Sequence, residues 1–221
     1  MLKIYLVRHG QDEDNAAGIL NGRRDGKLTS LGEAQAESLA EQIIANRSAV
    51  SYAPGKPYFS FVYCSPLERA HRTAKIICER LKLAPPQILP ELVERDFGVM
   101  TGRRTDEIEK YCAPDILMSE TIKYFLSPEG AETFPDLFKR AEDLLRIISE
   151  RHIGMGERQP DENVLLVTHG DIGKMIYAAY YNLEWKSVLT QFHFGNSDLL
   201  LLSPDSRAED AHVFKTEQFN A

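Results

Sequence analysis

The sequence predicts an α/β sandwich, a largely parallel sheet packed between helices, with a small helical cap over about residues 100–135. Two observations carry that prediction. Short apolar runs of strand length alternate with amphipathic stretches of helix length along the chain. Two of the apolar runs, LVRHG (6–10) and LVTHG (166–170), end in the same His-Gly pair. A length of 221 residues suffices for one well-buried domain, and no repeat or convincing linker divides it, so 1–221 reads as a single domain.

The elements follow in order. Lys3 to Val7 is a continuous apolar run and reads as a buried strand. Residues 10–28, rich in Gly, Asn and Asp, read as a loop. Ser30-Leu31-Gly32-Glu33 matches a capping box, with Ser30 as the cap and Glu33 reaching back. A helix follows to about Asn46, with Leu31, Ala34, Leu39, Ile43 and Ile44 facing inward. Ser51–Pro57, with its prolines and glycine, is a surface loop. Phe59 to Cys64 reads as a strand. Pro66 to Leu83 reads as a helix, with Leu67, Ala70, Ala74, Ile77 and Leu81 on one face, stopped by Pro85-Pro86. Ile88 to Val93 reads as a short strand, and 103–128 as short helices and loops, the candidate lid. A long amphipathic helix spans Phe134–His152. Gly154–Pro160 is a loop, Asn163 to Thr168 a buried strand and 171–183 a helix. Leu199–Leu202 is a late strand, and Val213-Phe214 belongs to one more.

Composition narrows the function. Apolar residues make up 43% and charged residues 27%, ordinary for a globular protein. The net charge of −7 and the absence of a long basic run argue against nucleic acid, whose phosphates need clustered Lys and Arg. No apolar stretch approaches the roughly 20 residues of a membrane helix, and the N-terminal run is too short for a signal-peptide core. Cys64, Cys78 and Cys112 form no CxxC pair and no zinc set, which suits a reducing compartment. The expected location is therefore the cytoplasm, and no metal site is expected.

In open α/β sheets, ligands bind beyond the carboxyl ends of the strands. Arg8, His9, Arg69, Glu94 and His169 all fall at or near predicted strand ends. Two arginines supply planar forks of donors matched to phosphate oxygens. One imidazole can attack phosphorus and split a hard displacement into two easier ones. A second imidazole can donate to the equatorial oxygens, and a carboxylic acid can protonate the leaving alkoxide. Such a set needs no metal ion or other cofactor.

These segments resemble the histidine phosphatase superfamily, in its phosphoglycerate-mutase-like branch. Arg8-His9-Gly10 resembles the family's RHG signature, and Asn15 falls where the family has a phosphate-contacting Asn. Gly22, Asp25, Leu28-Thr29 and Gly32 resemble the stretch leading into the first helix. Ser65-Pro66-Leu67-Glu68-Arg69-Ala70 with Thr73-Ala74 resembles the second arginine block. Glu94-Arg95-Asp96-Phe97-Gly98 resembles the general-acid segment, and Gly130-Ala131-Glu132-Thr133 the segment before the long helix. Thr168-His169-Gly170 resembles the second histidine motif, and Asn196-Ser197 a late Asn-x-Ser region. RHG alone is a weak signal; with the other blocks at ordered distances it is a strong one. The resemblance implies a three-layer α/β/α sandwich of the phosphoglycerate mutase type and a phosphomonoesterase. It implies a phosphohistidine at His9 and Glu94 as general acid and base. It also implies substrate contacts from Arg8, Asn15, Gly22, Arg69, His169 and Gly170. A small phosphorylated compound is the expected partner, with a homodimer as a further candidate.

Plainer readings stand beside these. A strand-end histidine alone is more often structural than nucleophilic. Glu94 could pair with Arg95, and Asp96 and Glu91 compete with it for the acid role. Glu132 could cap the next helix. His71, His152, His193 and His212 show no ligand spacing and read as surface or structural. Arg23-Arg24 and Arg103-Arg104 read as solvated pairs that could overhang the pocket. Within the family, mutases place an arginine pair in the cap and a lysine shortly after the general acid. Residues 110–128 hold Lys110 and Lys123 but no arginine, and Thr105 occupies the lysine position, with Arg103-Arg104 just before it as a substitute. That favours a phosphatase over a mutase, ahead of a phosphoprotein-directed or purely phosphate-binding module.

Overall fold

The computed structural model describes residues 1–50, 54–152 and 162–215. The strands are β1 (Leu2–Arg8), β2 (Phe61–Cys64), β3 (Gln87–Ile88), β4 (Ile116–Met118), β5 (Lys123–Phe125), β6 (Glu162–Thr168) and β7 (Leu199–Leu202). The helices are α1 (Glu13–Ala17), α2 (Ser30–Ala45), α3 (Glu68–Leu81), α4 (Ile108–Cys112), α5 (Phe134–His152), α6 (Gly170–Tyr180) and α7 (Trp185–Gln191).

A five-stranded sheet runs in the order β3-β2-β6-β1-β7. Its strands are parallel except β7, which lies antiparallel beside β1. Successive side chains on a strand point to opposite faces, and β1 shows what that does here. Ile4 and Leu6 pack with α5 and α6 through Leu137, Leu144, Ile148, Ile172 and Ile176. Tyr5 and Val7 pack with α2 and α3 through Leu39, Ile43, Ala70, Ala74 and Ile77. Both faces of the sheet are covered, so the fold is the expected three-layer α/β/α sandwich. Each such Leu, Ile or Val side chain taken out of water stabilises the fold by roughly 1.5–3 kcal/mol before ordering costs. A third cluster of Phe97, Met100, Ile108, Cys112 and Phe125 builds the cap.

Several local expectations are corrected. The cap of α2 is Thr29, whose Oγ1 accepts from the Gly32 amide at 3.1 Å. Glu33 does not reach back but meets Arg72 at 2.7 Å. On α2, Leu39 and Ile43 face inward as expected, whereas Leu31, Ala34 and Ile44 are exposed and Ala36 and Ala40 are buried, Ala40 in the cluster that holds Ala70, Ala74 and Ile77 of α3. The 10–28 loop contains the short helix α1. The strand expected over Ile88–Val93 ends at Ile88, because Pro90 has no amide to donate and opens a 3-10 turn. The cap is not wholly helical, since β4 and β5 form an antiparallel hairpin within it. Val213 and Phe214 lie outside any strand, although the Val213 amide donates to Leu199 O at 2.9 Å. His152 is buried and structural, held by Glu162 at 2.9 Å and the Tyr63 hydroxyl at 3.2 Å. Part of the 51–57 loop and all of the 154–160 loop lie outside the described residues.

The position of the α2 cap is testable. Thr29→Ala should lower stability by about 1 kcal/mol, the typical cost of a lost cap, while Ser30→Ala should stay within about 0.5 kcal/mol. Urea unfolding of the two variants reads the difference, and equal effects would contradict the assignment.

Candidate active site

Register brings the two histidine motifs together. β1 and β6 are parallel neighbours with Arg8 opposite Thr168, so His9 and His169 leave the sheet side by side. The His9 amide donates to Thr168 O at 2.9 Å, and the two rings lie edge to face with centroids 5.1 Å apart. Both are almost fully buried. The chain then turns under α2 at Gly10, where a Cβ would overlap the carbonyl of Gly32; a Cβ at Gly32 would in turn overlap the backbone of Gln11. The Gly10 amide donates to Thr73 Oγ1 at 3.1 Å.

His9 Nδ1 lies 2.7 Å from Gly10 O, which can only accept, so Nδ1 carries the proton. Nε2 accordingly accepts from Arg69 Nε–H at 3.3 Å. Burial first, then the charges of Arg69 and Arg8, hold His9 well below the usual 6.5. His169 is lowered for the same leading reason, burial, followed by Arg69. The Ser65 hydroxyl lies 2.7 Å from His169 Nε2, while Nδ1 is buried without a partner. If Ser65 donates to Nε2, the Nδ1–H remains for a ligand oxygen.

Arg69, in the first turn of α3, has no exposed surface. Its Nη1 donates to Arg24 O at 2.8 Å and its Nη2 to Gly22 O at 2.7 Å. Asp12 pairs with Nε at 3.2 Å and is equally buried. The same carboxylate accepts from Asn21 Nδ2 at 2.6 Å and from the Asn15 amide at 2.7 Å, capping α1. Burial lowers Arg69 and raises Asp12, so their attraction only partly offsets the lost water.

Glu94 sits on the N-terminus of α6. Its carboxylate accepts from the amides of Arg95 (2.7 Å), Ile172 (3.1 Å) and Asp171 (3.2 Å). Burial and the charge of Asp171 nevertheless push its pKa up from the usual 4.5, against the pull of those amides. It is not the ion-pair partner of Arg95, whose guanidinium takes Asp171 at 2.8 Å and lies over the rings of Phe97, Phe125 and Phe134. Glu94 lines the cavity described below, whereas Glu91 and Asp96 do not. Asp96 instead accepts from the Gly98 amide at 2.9 Å. Glu132 does not cap α5, where Thr133 accepts from the Asp136 amide at 3.3 Å. Glu132 takes Arg140 through two bonds of 2.8 Å, and Arg140 holds the carbonyls of Glu91 and Val93 at 2.8 and 2.7 Å. That clamp fixes the segment carrying Glu94.

A cavity of about 430 Å³ opens over these groups. Arg8, His9, Asn15, Glu94, Gly170, Asp171 and Lys174 line its base, and Thr105, Ile122, Lys123 and Tyr124 contribute from the cap. Arg8 donates to Phe194 O at 3.0 Å and keeps a buried Nε without a partner. Asn196 Nδ2 reaches His9 O at 2.8 Å and Asn15 Oδ1 at 3.4 Å. Arg69 and His169 lie beside the His9 ring, at its Nε2 and edge to face with it, and are not among the lining residues; Gly22 touches Arg69 and does not line the cavity. Arg23, Arg24, Arg103 and Arg104 do not line it either. Arg103 lies over the Tyr111 ring at 3.8 Å and donates to Val99 O, and Arg104 meets Asp106 at 3.4 Å. Asp12, Asn21, Arg140 and Lys174 are contributors that the sequence reading missed. For Lys174 there was a signal, a lone cation in the apolar helix Ile172–Tyr180. Among the described residues, no group of three or more His, Cys, Asp or Glu is placed to hold a metal ion.

A doubly covered parallel sheet with a neutral strand-end histidine, buried arginines and a carboxylic acid defines a phosphoryl-transferring α/β enzyme. The chain belongs to the histidine phosphatase superfamily, branch 1, whose family profile matches residues 4–215. It is 31% identical over 176 residues to a metal-independent phosphoserine phosphatase of Arabidopsis thaliana, covering 79% of this chain and 67% of that one. It is 24% identical over 206 residues to a 2,3-bisphosphoglycerate-dependent phosphoglycerate mutase of Bartonella tribocorum, covering 92% and 93%. A solved mycobacterial glucosyl-3-phosphoglycerate phosphatase in complex with VO3 superposes with a TM-score of 0.70 at 25% identity, covering 91% and 92%.

The Arg69–Asp12 pair yields a prediction. Asp12→Ala leaves the Arg69 charge buried and uncompensated and should cost about 3–5 kcal/mol. Asp12→Asn keeps an oxygen acceptor and should cost less. Chemical denaturation measures both, and a loss under about 1 kcal/mol for Asp12→Ala would refute the pairing.

Proposed function

We propose that the chain hydrolyses a small phosphorylated metabolite through a phosphohistidine at His9. The observation that carries this is a neutral His9, its Nε2 lone pair held by Arg69, beside a cavity shared with a carboxyl group of raised pKa. His9 Nε2 attacks phosphorus and forms the P–N bond as the P–O bond to the alcohol breaks. Arg69 Nε–H then exchanges Nε2 for a phosphoryl oxygen. Arg8, with its unused Nε, and His169 Nδ1–H meet the remaining oxygens. Glu94 gives its proton to the departing alkoxide. It then takes a proton from the water that attacks the phosphohistidine; the P–N bond breaks as the new P–O bond forms, phosphate leaves, and His9 and Glu94 return to their starting states. Asn15 lines the same cavity and is held by Asn196. Residues 1–221 act as one unit, with 100–135 as its lid.

Hydrolysis is favoured over mutase chemistry. A mutase must hold a second phosphate, and the cap offers no arginine over 110–128. Arg103 and Arg104 are committed elsewhere, and Lys123 is paired with Glu109 at 2.6 Å. The roofed cavity suits a small substrate better than a phosphoprotein. Among the described residues no helix is long and apolar enough to cross a membrane. Three buried free thiols, at Cys64, Cys78 and Cys112, support a reducing, cytoplasmic setting. Sedimentation would decide whether the working form is the homodimer.

The test is phosphate release from a panel of phosphomonoesters, in EDTA, with wild type beside His9→Ala and Glu94→Gln. Release should persist with the chelator, fall to background in His9→Ala, and drop by roughly 10²–10⁴-fold in Glu94→Gln on poor leaving groups. Exchange between 2- and 3-phosphoglycerate outrunning hydrolysis would overturn the phosphatase reading.

A second expectation concerns pH. Attack needs His9 neutral, so the acid limb follows a pKa lowered from 6.5. Protonation of the leaving group needs Glu94 as the acid, so the alkaline limb follows a pKa raised from 4.5. The opposite shifts open a window between them, and kcat should be bell-shaped on the acid side of neutral. A flat profile from about pH 5 to 9, with chemistry rate-limiting, would contradict these roles.

A further inference from the structure

The late Asn196-Ser197 motif lies in a turn that braces the end of β1. Phe194 O accepts from Arg8 Nη1 at 3.0 Å, the Ser197 amide donates to Arg8 O at 3.0 Å, and Asn196 Nδ2 donates to His9 O at 2.8 Å. Both ends of the turn are anchored. The Phe194 ring packs on Gly173 of α6, where a Cβ would come within 2.2 Å of it, and Leu199 opens β7 opposite Val7 of β1. Between these ends Ser197 has a φ of 58°, in the left-handed region that disfavours residues with a Cβ. Local preference alone therefore does not close the turn. Asp198 closes it with two bonds to one residue. Its amide donates to Gly195 O at 3.1 Å, and its carboxylate accepts from the Gly195 amide at 2.5 Å. His193 Nε2 and His212 Nε2 each stand 3.9 Å from the same carboxylate oxygen, too far for a hydrogen bond. Burial raises the Asp198 pKa, and the Gly195 amide leads the influences that oppose it, followed by the charges of His212, His193 and Arg8.

We propose that Asp198 is a positioning residue for phosphate binding, which holds the turn so that Phe194 O aims the Arg8 guanidinium at the phosphoryl group. This rests on the phosphomonoesterase reading and adds a residue to its machinery. Asp198 does not line the cavity over His9, so it acts through the turn and not on the substrate. Arg8 does line that cavity, with its Nε still unpartnered. A guanidinium is planar, so fixing one nitrogen on a carbonyl sets the direction of the donors that remain. With the carboxylate gone, the Gly195 amide loses its acceptor, the Phe194 carbonyl is no longer held in place, and the fork turns away from the phosphate.

Calorimetry with inorganic phosphate tests this, because the binding stoichiometry counts intact sites while Kd reports their quality. Asp198→Ala should raise the phosphate Kd by about tenfold and lower kcat/KM on a phosphomonoester at least as far. Asp198→Asn keeps an oxygen for the Gly195 amide and should stay within about threefold of wild type. Asp198→Leu, similar in shape but without an acceptor, should behave like the alanine variant and replaces it if that chain does not fold. A cycle with Arg8→Lys separates positioning from stability, since lysine keeps the charge but not the fork. In that background Asp198→Ala should cost less than about threefold. A full tenfold loss there overturns the proposal, as does a lower stoichiometry with an unchanged Kd in Asp198→Ala. If wild type hydrolyses no ester, the phosphatase reading falls. The role of Asp198 then stands if the phosphate Kd still depends on it through Arg8, and falls if the Kd is indifferent to it or wild type binds no phosphate.

Discussion

Arg69 carries a full positive charge with no exposed surface, and the donors of its guanidinium reach chain segments far away in sequence. Its partners are Gly22 O, Arg24 O, Asp12 and His9 Nε2. Loop 10–28 follows β1, and this cation ties it to the first turn of α3, together with Asp25, which accepts from the Glu68 amide at 2.8 Å. The bond to His9 fixes which ring nitrogen is bare. The Asp12 contact orients α1, and with it Asn15, toward the cavity. A buried ion pair rarely adds net stability over an apolar substitute. Here it positions two stretches of one loop, at Asp12 and at Gly22–Arg24, around one imidazole.

Burial also explains why one closed site can hold both a base and an acid. Removal from water disfavours the charged form of any group. For His9 and His169 the charged form is the cation, so their pKa values are lowered; for Glu94 it is the anion, so its pKa is raised. The neighbouring charges reinforce the separation, with Arg69 and Arg8 against His9 and Asp171 against Glu94. The dry enclosure and these charges thus shift the two kinds of group in opposite directions, as the proposed chemistry requires.

Much of this was legible in the sequence, for identifiable reasons. Helix α5 and strand β7 fall at the expected residues because an apolar stripe and an apolar run mark them sharply. The two His-Gly motifs announced the site because strand register turns sequence pattern into proximity. Where the physics is local and competing, the reading slipped. Thr29 and Ser30 are both good caps, and only backbone geometry chooses between them. The strands β4 and β5, of three residues each, are too short to show alternation. Leu31 and Ile44 lie on the periodic stripe yet stay exposed, while the small Ala36 and Ala40 are the buried positions. Asp12 and Arg140 matter through partners 57 and 8 or more residues away, 69 − 12 and 140 − 132, and no local pattern reports such pairings.

The contact between Gly10 and Gly32 has a consequence for how this architecture can change. Backbone meets backbone there, so the loop that follows His9 has no side chain to trim or enlarge at that contact and cannot drift without carrying α2 along. The floor of the site is thereby frozen. Variation in which ester is accepted falls to the rest of the lining, above all the roof at residues 105–106 and 121–124. A mutational library for new substrates belongs at those positions, where exchange of one side chain for another does not move the reacting groups.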